Sequence, residues 1–265
     1  MFNKKIVVYI PCHDCEKFIL EILQKIPHEF HHQMECLVLD NFSSDNLSEI
    51  IKKEIKNKTF SFKINLIRTK KDIGYSGSQK LAYSLISKSE NVKYVIMLHG
   101  DGQYDPFLLR QFLPYIESKN HFAVVNGFRD KIHFPEKDET PFFTYIIIKT
   151  LNFIENIITG FKQKEWHSGF VLYSKDFLTK IPLQYLTKTR HIDGEMLILA
   201  GVLNEKTASF SLYKKYKDYE SFSGLPKLKY VLDVFKIFLK FKNGFYHQLL
   251  GNKIRSKIDF EFDRL

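Results

Sequence analysis

Leu98-His99-Gly100-Asp101-Gly102-Gln103-Tyr104-Asp105-Pro106 is the stretch whose reading decides the fold. The apolar run Val92 to Leu98 that leads into it has the length and composition of a buried strand. Pro106, which closes it, is suited to the first turn of a helix. Asp101 is therefore expected on a tight, glycine-flanked loop at the carboxyl end of a strand, where open α/β sheets bind ligands. A carboxylate there, with the Gln103 amide beside it, suits a hard divalent cation that holds a diphosphate.

Outward from this loop, strands and helices alternate. Strands are expected at Ile6 to Ile10, Glu35 to Leu39, Phe62 to Ile67 and Phe122 to Asn126. Helices are expected from Glu16 through Ile26, over Leu47 to Ile55, over Gly74 to Ser87 and after Pro106. That order predicts an α/β fold: a mostly parallel, Rossmann-like central sheet with helices on both faces. Further on, helical patterns cover Phe142 to Ile158 and His191 to Leu203, and strand patterns cover Ser168 to Tyr173 and Ala208 to Tyr213. The main domain is expected to span residues 1–219 and a C-terminal extension residues 220–265. From Pro226 to Lys242 the extension reads as an amphipathic helix, with Lys229, Asp233, Lys236 and Lys240 on one face and Leu228, Val231, Leu232, Phe235, Phe238 and Leu239 around the rest. Such a helix fits a membrane surface, a second copy of the chain in a homodimer, or the main domain itself.

Composition narrows the classes. The 265 residues suffice for one large domain with a small appendage, and the 44% hydrophobic content is that of a globular core. A net charge of +10 favours anionic partners such as phosphorylated substrates, acidic membranes or nucleic acid, or else marks a lysine-rich solvated surface. Three cysteines imply no disulfide framework. No signal-peptide pattern and no run of about 20 apolar residues is present, so the expected location is cytoplasmic, with peripheral contact at the inner face of a membrane as the further option.

Four segments fall at the ends of four successive strands: Pro11 to Glu16, Asp40 to Asp45, Gly74 to Lys80, and the Asp101 loop. A parallel sheet brings such ends to one edge. The residues there resemble the inverting family 2 glycosyltransferases of the GT-A fold, most nearly the dolichyl-phosphate mannosyltransferase-like branch, over roughly residues 4–215. Ile10-Pro11-Cys12-His13-Asp14-Cys15-Glu16 is similar to the family's first loop, Leu39-Asp40-Asn41-Phe42-Ser43-Ser44-Asp45 to its acidic turn, and His99-Gly100-Asp101-Gly102-Gln103 to its metal motif. Asn126-Gly127-Phe128-Arg129, Ser168-Gly169-Phe170 and Asp193-Gly194-Glu195 also resemble family segments.

The resemblance implies a hexosyltransferase of polysaccharide or lipid-linked sugar synthesis. Its donor would be a UDP- or GDP-linked sugar, and its acceptor a polyprenyl phosphate or a cell-surface glycan. Pro11, Cys12, His13 and Glu16 would line the nucleotide pocket, and Asp40 would bind base or ribose. Gly74 would let the backbone approach the nucleotide, with Lys80 one turn into the following helix. Asp101 would hold Mg²⁺ or Mn²⁺ on the donor phosphates with help from Gln103, and Arg129 would face a phosphate. Asp193 or Glu195 would be the base; two residues apart on a helix, they point to different sides. His99 stands where the motif's first Asp usually stands, and Asn41 replaces the second Asp of the turn, so metal dependence is left open.

Competing readings are weaker. Cys12-x-x-Cys15 has the placement of a redox pair, but the other three loops do not suit that chemistry. A zinc site of Cys12, Cys15, Cys36 and a histidine from His28, His31 or His32 matches no compact zinc module. Trp166 and His167 stand as candidates for a sugar or acceptor pocket, or as packing. A nucleotidyltransferase would need a basic, glycine-rich loop after the first strand, and Pro11 to Glu16 contains neither residue type. A nucleic-acid-binding protein would show a basic stripe with interleaved aromatics, whereas acids and glycines gather at the strand ends here.

Overall fold

The computed structural model describes residues 2–215, 225–251 and 260–265. Eight strands among these form one sheet in the order β7-β5-β6-β4-β1-β2-β3-β8. They are β1 (Ile6–Cys12), β2 (Met34–Asp40), β3 (Lys63–Thr69), β4 (Tyr94–Met97), β5 (Val124–Arg129), β6 (Val171–Ser174), β7 (Thr207–Leu212) and β8 (Phe262–Arg264). Only β6 and β8 pair antiparallel with their neighbours; the other six strands run one way. β1 and β2 are buried on both faces, which is why they read as unbroken apolar runs rather than alternating ones.

Helices pack against both faces. They are α1 (Glu16–Gln24), α2 (His28–His31), α3 (Leu47–Asn57), α4 (Gly74–Ser87), α5 (Leu113–Glu117), α6 (Phe142–Thr159), α7 (Lys175–Lys180), α8 (Ile192–Val202), α9 (Leu225–Lys242) and α10 (Phe245–Gly251). One core lies under Val7, Tyr9, Leu37, Leu39, Val95 and Met97, and receives α4 and α8. The other lies under Val8, Ile10, Cys36, Val38 and Ile96, and receives α1 and α3. This is the α/β architecture read from the sequence, with C-terminal helices present.

The short helices α2, α7 and α10 were not among the expected elements, and two further points depart from the expected layout. The segment after Pro106 is first a 3-10 helix, Pro106–Phe112, capped by the Asp105 side chain, and becomes α-helical only in α5. β8 pairs with β3 through three residues, too few to leave a periodic pattern in sequence. The expected domain boundary at residues 219–220 lies outside the described residues.

The order of the sheet positions the site. The chain runs from β1 outward through β2 to β3, then returns to place β4 on the other side of β1. The strand order therefore reverses between β1 and β4, and the crevice outside their carboxyl ends is the ligand-binding position of such sheets.

Candidate active site

The loops after β1 and β4 touch directly at this reversal. The Gly100 amide donates to the Pro11 carbonyl at 3.1 Å. A Cβ on Gly100 would lie 2.4 Å from Cys12 Sγ and 2.8 Å from that carbonyl, so only glycine lets the loops close. A reciprocal clamp joins the loops after β1 and β2. The Glu16 amide donates to Asp45 Oδ2 at 2.8 Å, and the Asn46 amide donates back to Glu16 Oε2 at 2.7 Å. Asp14, in the left-handed region, accepts from the Ser44 amide at 2.7 Å, and His13 Nδ1 lies 2.9 Å from the Asn41 carbonyl. Asn41 in turn receives the Ile73 amide, and Asp72 the Gly74 amide, so the start of α4 joins the same rim.

Asp101 lies in the crevice with its side chain 33% exposed. Its Oδ1 accepts from the Gln103 amide at 3.1 Å, and its Oδ2 is 3.9 Å from His99 Nδ1. Burial alone would raise its carboxyl. His99, the Gln103 amide and the Lys214 charge outweigh that and hold it below the ordinary carboxylate value.

Behind Asp101 runs a relay of polar side chains. His99 Nε2 is 3.4 Å from Tyr75 Oη, and Tyr75 Oη donates to Asp193 Oδ2 at 2.8 Å. Asp193 Oδ2 also accepts from Gln79, and its Oδ1 from Tyr173 Oη at 3.2 Å. Because the Tyr75 proton is committed to Asp193, its oxygen accepts from His99 Nε2–H. His99 Nδ1, on the other side of the ring, faces Asp101. A Cβ on Gly169 would fall 2.3 Å from His99 Nε2 and 2.9 Å from Tyr75 Oη; that glycine makes room for the relay.

Several expected roles change on this geometry. Asp40 is fully buried: its carboxylate accepts from the Ser43 amide, Ser48 Oγ and Arg68. It shapes the turn after β2 and offers no oxygen to a base or ribose. Cys12 is buried beneath the rim. Its hydrogen bond with Cys15, then burial, pushes its thiol well up, away from the thiolate of a redox pair. Lys80 points across α4 to the Leu186 carbonyl, away from the crevice, and burial lowers it to about 8. Asp193 and Glu195 do point to different sides of α8, but neither opens onto the crevice. Glu195 is buried with Tyr246 Oη and the Thr187 amide, each at 2.6 Å. Burial raises both carboxyls. Trp166 is wholly buried, with Nε1 on Asn156 Oδ1, and is packing rather than pocket.

Pro11, His13, Gly74, Asp101 and Gln103 therefore share one rim, with Glu16 clamping its base. Arg129, at the end of β5, is buried. Its Nη2 donates to the His167 carbonyl at 3.1 Å, and its Nη1 lies 3.7 Å from Glu165 Oε1. Lys214, just past β7, is a functional candidate that the sequence reading did not name. Its ammonium sits 5.0 Å from the Tyr104 ring, and it is pulled to about 7 by burial and by Arg129, against the attraction of Asp101 and Glu165. The signal was available: β7 runs with β5, so the Lys214-Lys215 pair after it falls at the same edge of the sheet.

The sequence profile of glycosyl transferase family 2 matches residues 7–181, about two thirds of the chain, and the protein belongs to that family. It is a glycosyltransferase with the GT-A fold. An uncharacterized protein of Methanocaldococcus jannaschii is 26% identical over 172 residues, 65% of this chain and 72% of that one. Among solved structures, glucosyl-3-phosphoglycerate synthase of Mycobacterium tuberculosis with phosphoglyceric acid superposes with a TM-score of 0.59 at 14% identity, covering 85% of this chain and 75% of that one. The same enzyme with Mn²⁺, uridine diphosphate and glucosyl-3-phosphoglycerate superposes at 0.56 with 12% identity, over 99% of this chain and 87% of that one. At such identities the likeness is one of fold.

Proposed function

We propose that this glycosyltransferase moves a hexose, with inversion, from a nucleoside-diphosphate sugar to a polyprenyl phosphate held at a membrane surface. The observation that carries the donor half is the position of Asp101, in the crevice where the strand order reverses, with His99 Nδ1 facing it. One carboxylate and one imidazole fit a divalent cation that takes its remaining ligands from donor phosphates and water. Asp101 and His99 would hold Mg²⁺ or Mn²⁺, which supplies charge neutralisation to the departing diphosphate. The solved Mycobacterium tuberculosis structures with Mn²⁺ and UDP-glucose support this reading. Arg129, and Lys214 in its charged form, add positive charge on the β5–β7 side, where the leaving group becomes more negative in the transition state. His13, exposed at the rim, takes the place first given to Asp40 for the nucleoside.

Two observations favour the lipid acceptor. Neither Asp193 nor Glu195 is open to the crevice, and a phosphate oxyanion needs no base, whereas a sugar hydroxyl does. Next to the site, α6 turns an apolar face outward: Phe143 is 79% exposed, and Phe142, Ile146, Ile147, Phe153 and Ile157 are exposed with it. Helix α9 packs beside it and exposes Leu228, Leu232, Phe235 and Leu239, with Lys229 and Lys236 between them. Its Asp233 turns inward, not outward with the lysines. Apolar side chains ringed by lysines match an anionic lipid surface. No described helix is long and apolar enough to cross a membrane.

The test is transfer from labelled UDP- and GDP-hexoses to short-chain polyprenyl phosphate in anionic vesicles, beside 3-phosphoglycerate in solution. The expected product is label extracted into organic solvent, dependent on Mg²⁺ or Mn²⁺. Label only on the soluble acceptor would reject the lipid reading while keeping the donor reading.

A further inference from the structure

A second group of metal-ligand side chains lies outside the crevice. Glu155 on α6, His167 after Trp166, and His191 at the start of α8 converge, with one ligand atom from each within 4.8 Å of the others. Their side chains are 0%, 3% and 1% exposed. His167 Nε2 is 2.9 Å from Glu155 Oε2, and His191 Nε2 is 3.2 Å from Glu155 Oε1. Yet none of these four atoms makes a hydrogen bond. They are close but off axis, so a proton does not join them well, and buried polar atoms left in that state are costly.

The far side of each ring is in order. His167 Nδ1 lies 2.7 Å and His191 Nδ1 3.2 Å from the single hydroxyl of Tyr230 on α9. One phenolic oxygen can accept from both Nδ1–H groups. In that tautomer each ring leaves Nε2 bare towards the carboxylate, which is how an outer hydrogen bond orients a metal-bound histidine.

We infer that Glu155, His167 and His191 form a buried site for one Zn²⁺, with Tyr230 orienting both imidazoles. Two Nε2 atoms and the Glu155 carboxylate supply three protein ligands of the kinds zinc takes, with a water to complete the shell. The site staples α6, the strand lead-in before β6, α8 and α9 to one another. It thereby fixes the apolar faces of α6 and α9 beside Arg129, whose guanidinium is bonded to the His167 carbonyl. The ion is separate from the one proposed at Asp101 and does not depend on the identity of donor or acceptor.

The experiment uses the full chain expressed in zinc-supplemented medium, freed of loose metal by gel filtration and measured by elemental mass spectrometry. About one Zn²⁺ per chain is expected, retained in Asp101→Ala and lost in Glu155→Gln and His191→Gln. Tyr230→Phe, which keeps the ring packing, is expected to hold zinc about 10–100-fold more weakly in chelator competition. Folded wild-type chain that carries no zinc, or zinc that leaves with Asp101→Ala and stays in Glu155→Gln, would overturn the inference.

Discussion

The rim built by β1, β2 and β4 and the flank built by α6, α8 and α9 treat charge in opposite ways. On the rim, acids sit in loops, partly exposed, satisfied by backbone amides: Asp14 by Ser44, Glu16 by Asn46, Asp101 by Gln103. On the flank, charge is inside and oil is outside. Helix α6 buries Asn152, Glu155 and Thr159 while it exposes Phe142, Phe143, Ile146, Ile147, Phe153 and Ile157, and Arg129, Glu165, Asp193 and Glu195 are buried nearby. A rim of that kind can release a carboxylate to a ligand at little cost. A flank of that kind holds its charges in place and leaves its apolar face for something other than water.

Breaking each region should therefore read out differently. Asp101→Ala should lower transfer on the order of 10²–10³-fold, the loss seen when one charge-stabilising group is removed, with little change in melting temperature. Glu165→Ala removes the carboxylate from its buried pair with Arg129 and should cost about 3–5 kcal/mol of unfolding free energy in urea titrations. Phe143→Ser with Ile147→Ser should leave stability within about 0.5 kcal/mol. The same pair should weaken partition into anionic vesicles at least about tenfold, since each buried side chain contributes roughly 1.5–3 kcal/mol. Undiminished vesicle binding would reduce the flank to packing alone.

The smallest effect sharpens the contrast through pH. Lys214 is lowered to about 7 by burial and Arg129, with Asp101, Glu165 and Asp138 pulling the other way. Between about 7 and its ordinary value, the unfolded chain binds this proton and the folded chain does not. Its contribution to stability therefore rises with pH across that window. Binding of a nucleoside diphosphate needs the charged form, so affinity should fall as pH rises above about 7, by at most about tenfold per unit. Lys214→Met should flatten that slope in calorimetric titrations.

The rim was legible in sequence because it is local. Fully buried parallel strands read as apolar runs, and acids and glycines at their ends mark where ligands meet the sheet. Helix α4 was read with its observed ends, Gly74 to Ser87. The flank was not legible because its burial is set by partners far along the chain. Spacing put Asp193 and Glu195 on different sides of a helix. Only Tyr75, Tyr173 and Tyr246, from three other elements, show that both are enclosed. Lys80 was placed one turn into the right helix, but its direction depends on the carbonyl of Leu186, 106 residues away. Asp40 matched its motif and still serves the turn, because Ser43, Ser48 and Arg68 claim its oxygens first.

The central claim is that Asp101 receives the charged end of a nucleotide sugar through a divalent cation. Isothermal titration of wild type and Asp101→Ala with UDP- and GDP-hexoses, each with and without Mn²⁺, tests it most directly. The account predicts Mn²⁺-dependent binding of at least one donor to wild type and its loss in the variant, whose fold is intact. Equal Mn²⁺-dependent affinity in both proteins, or no binding of any nucleotide to wild type, would contradict it.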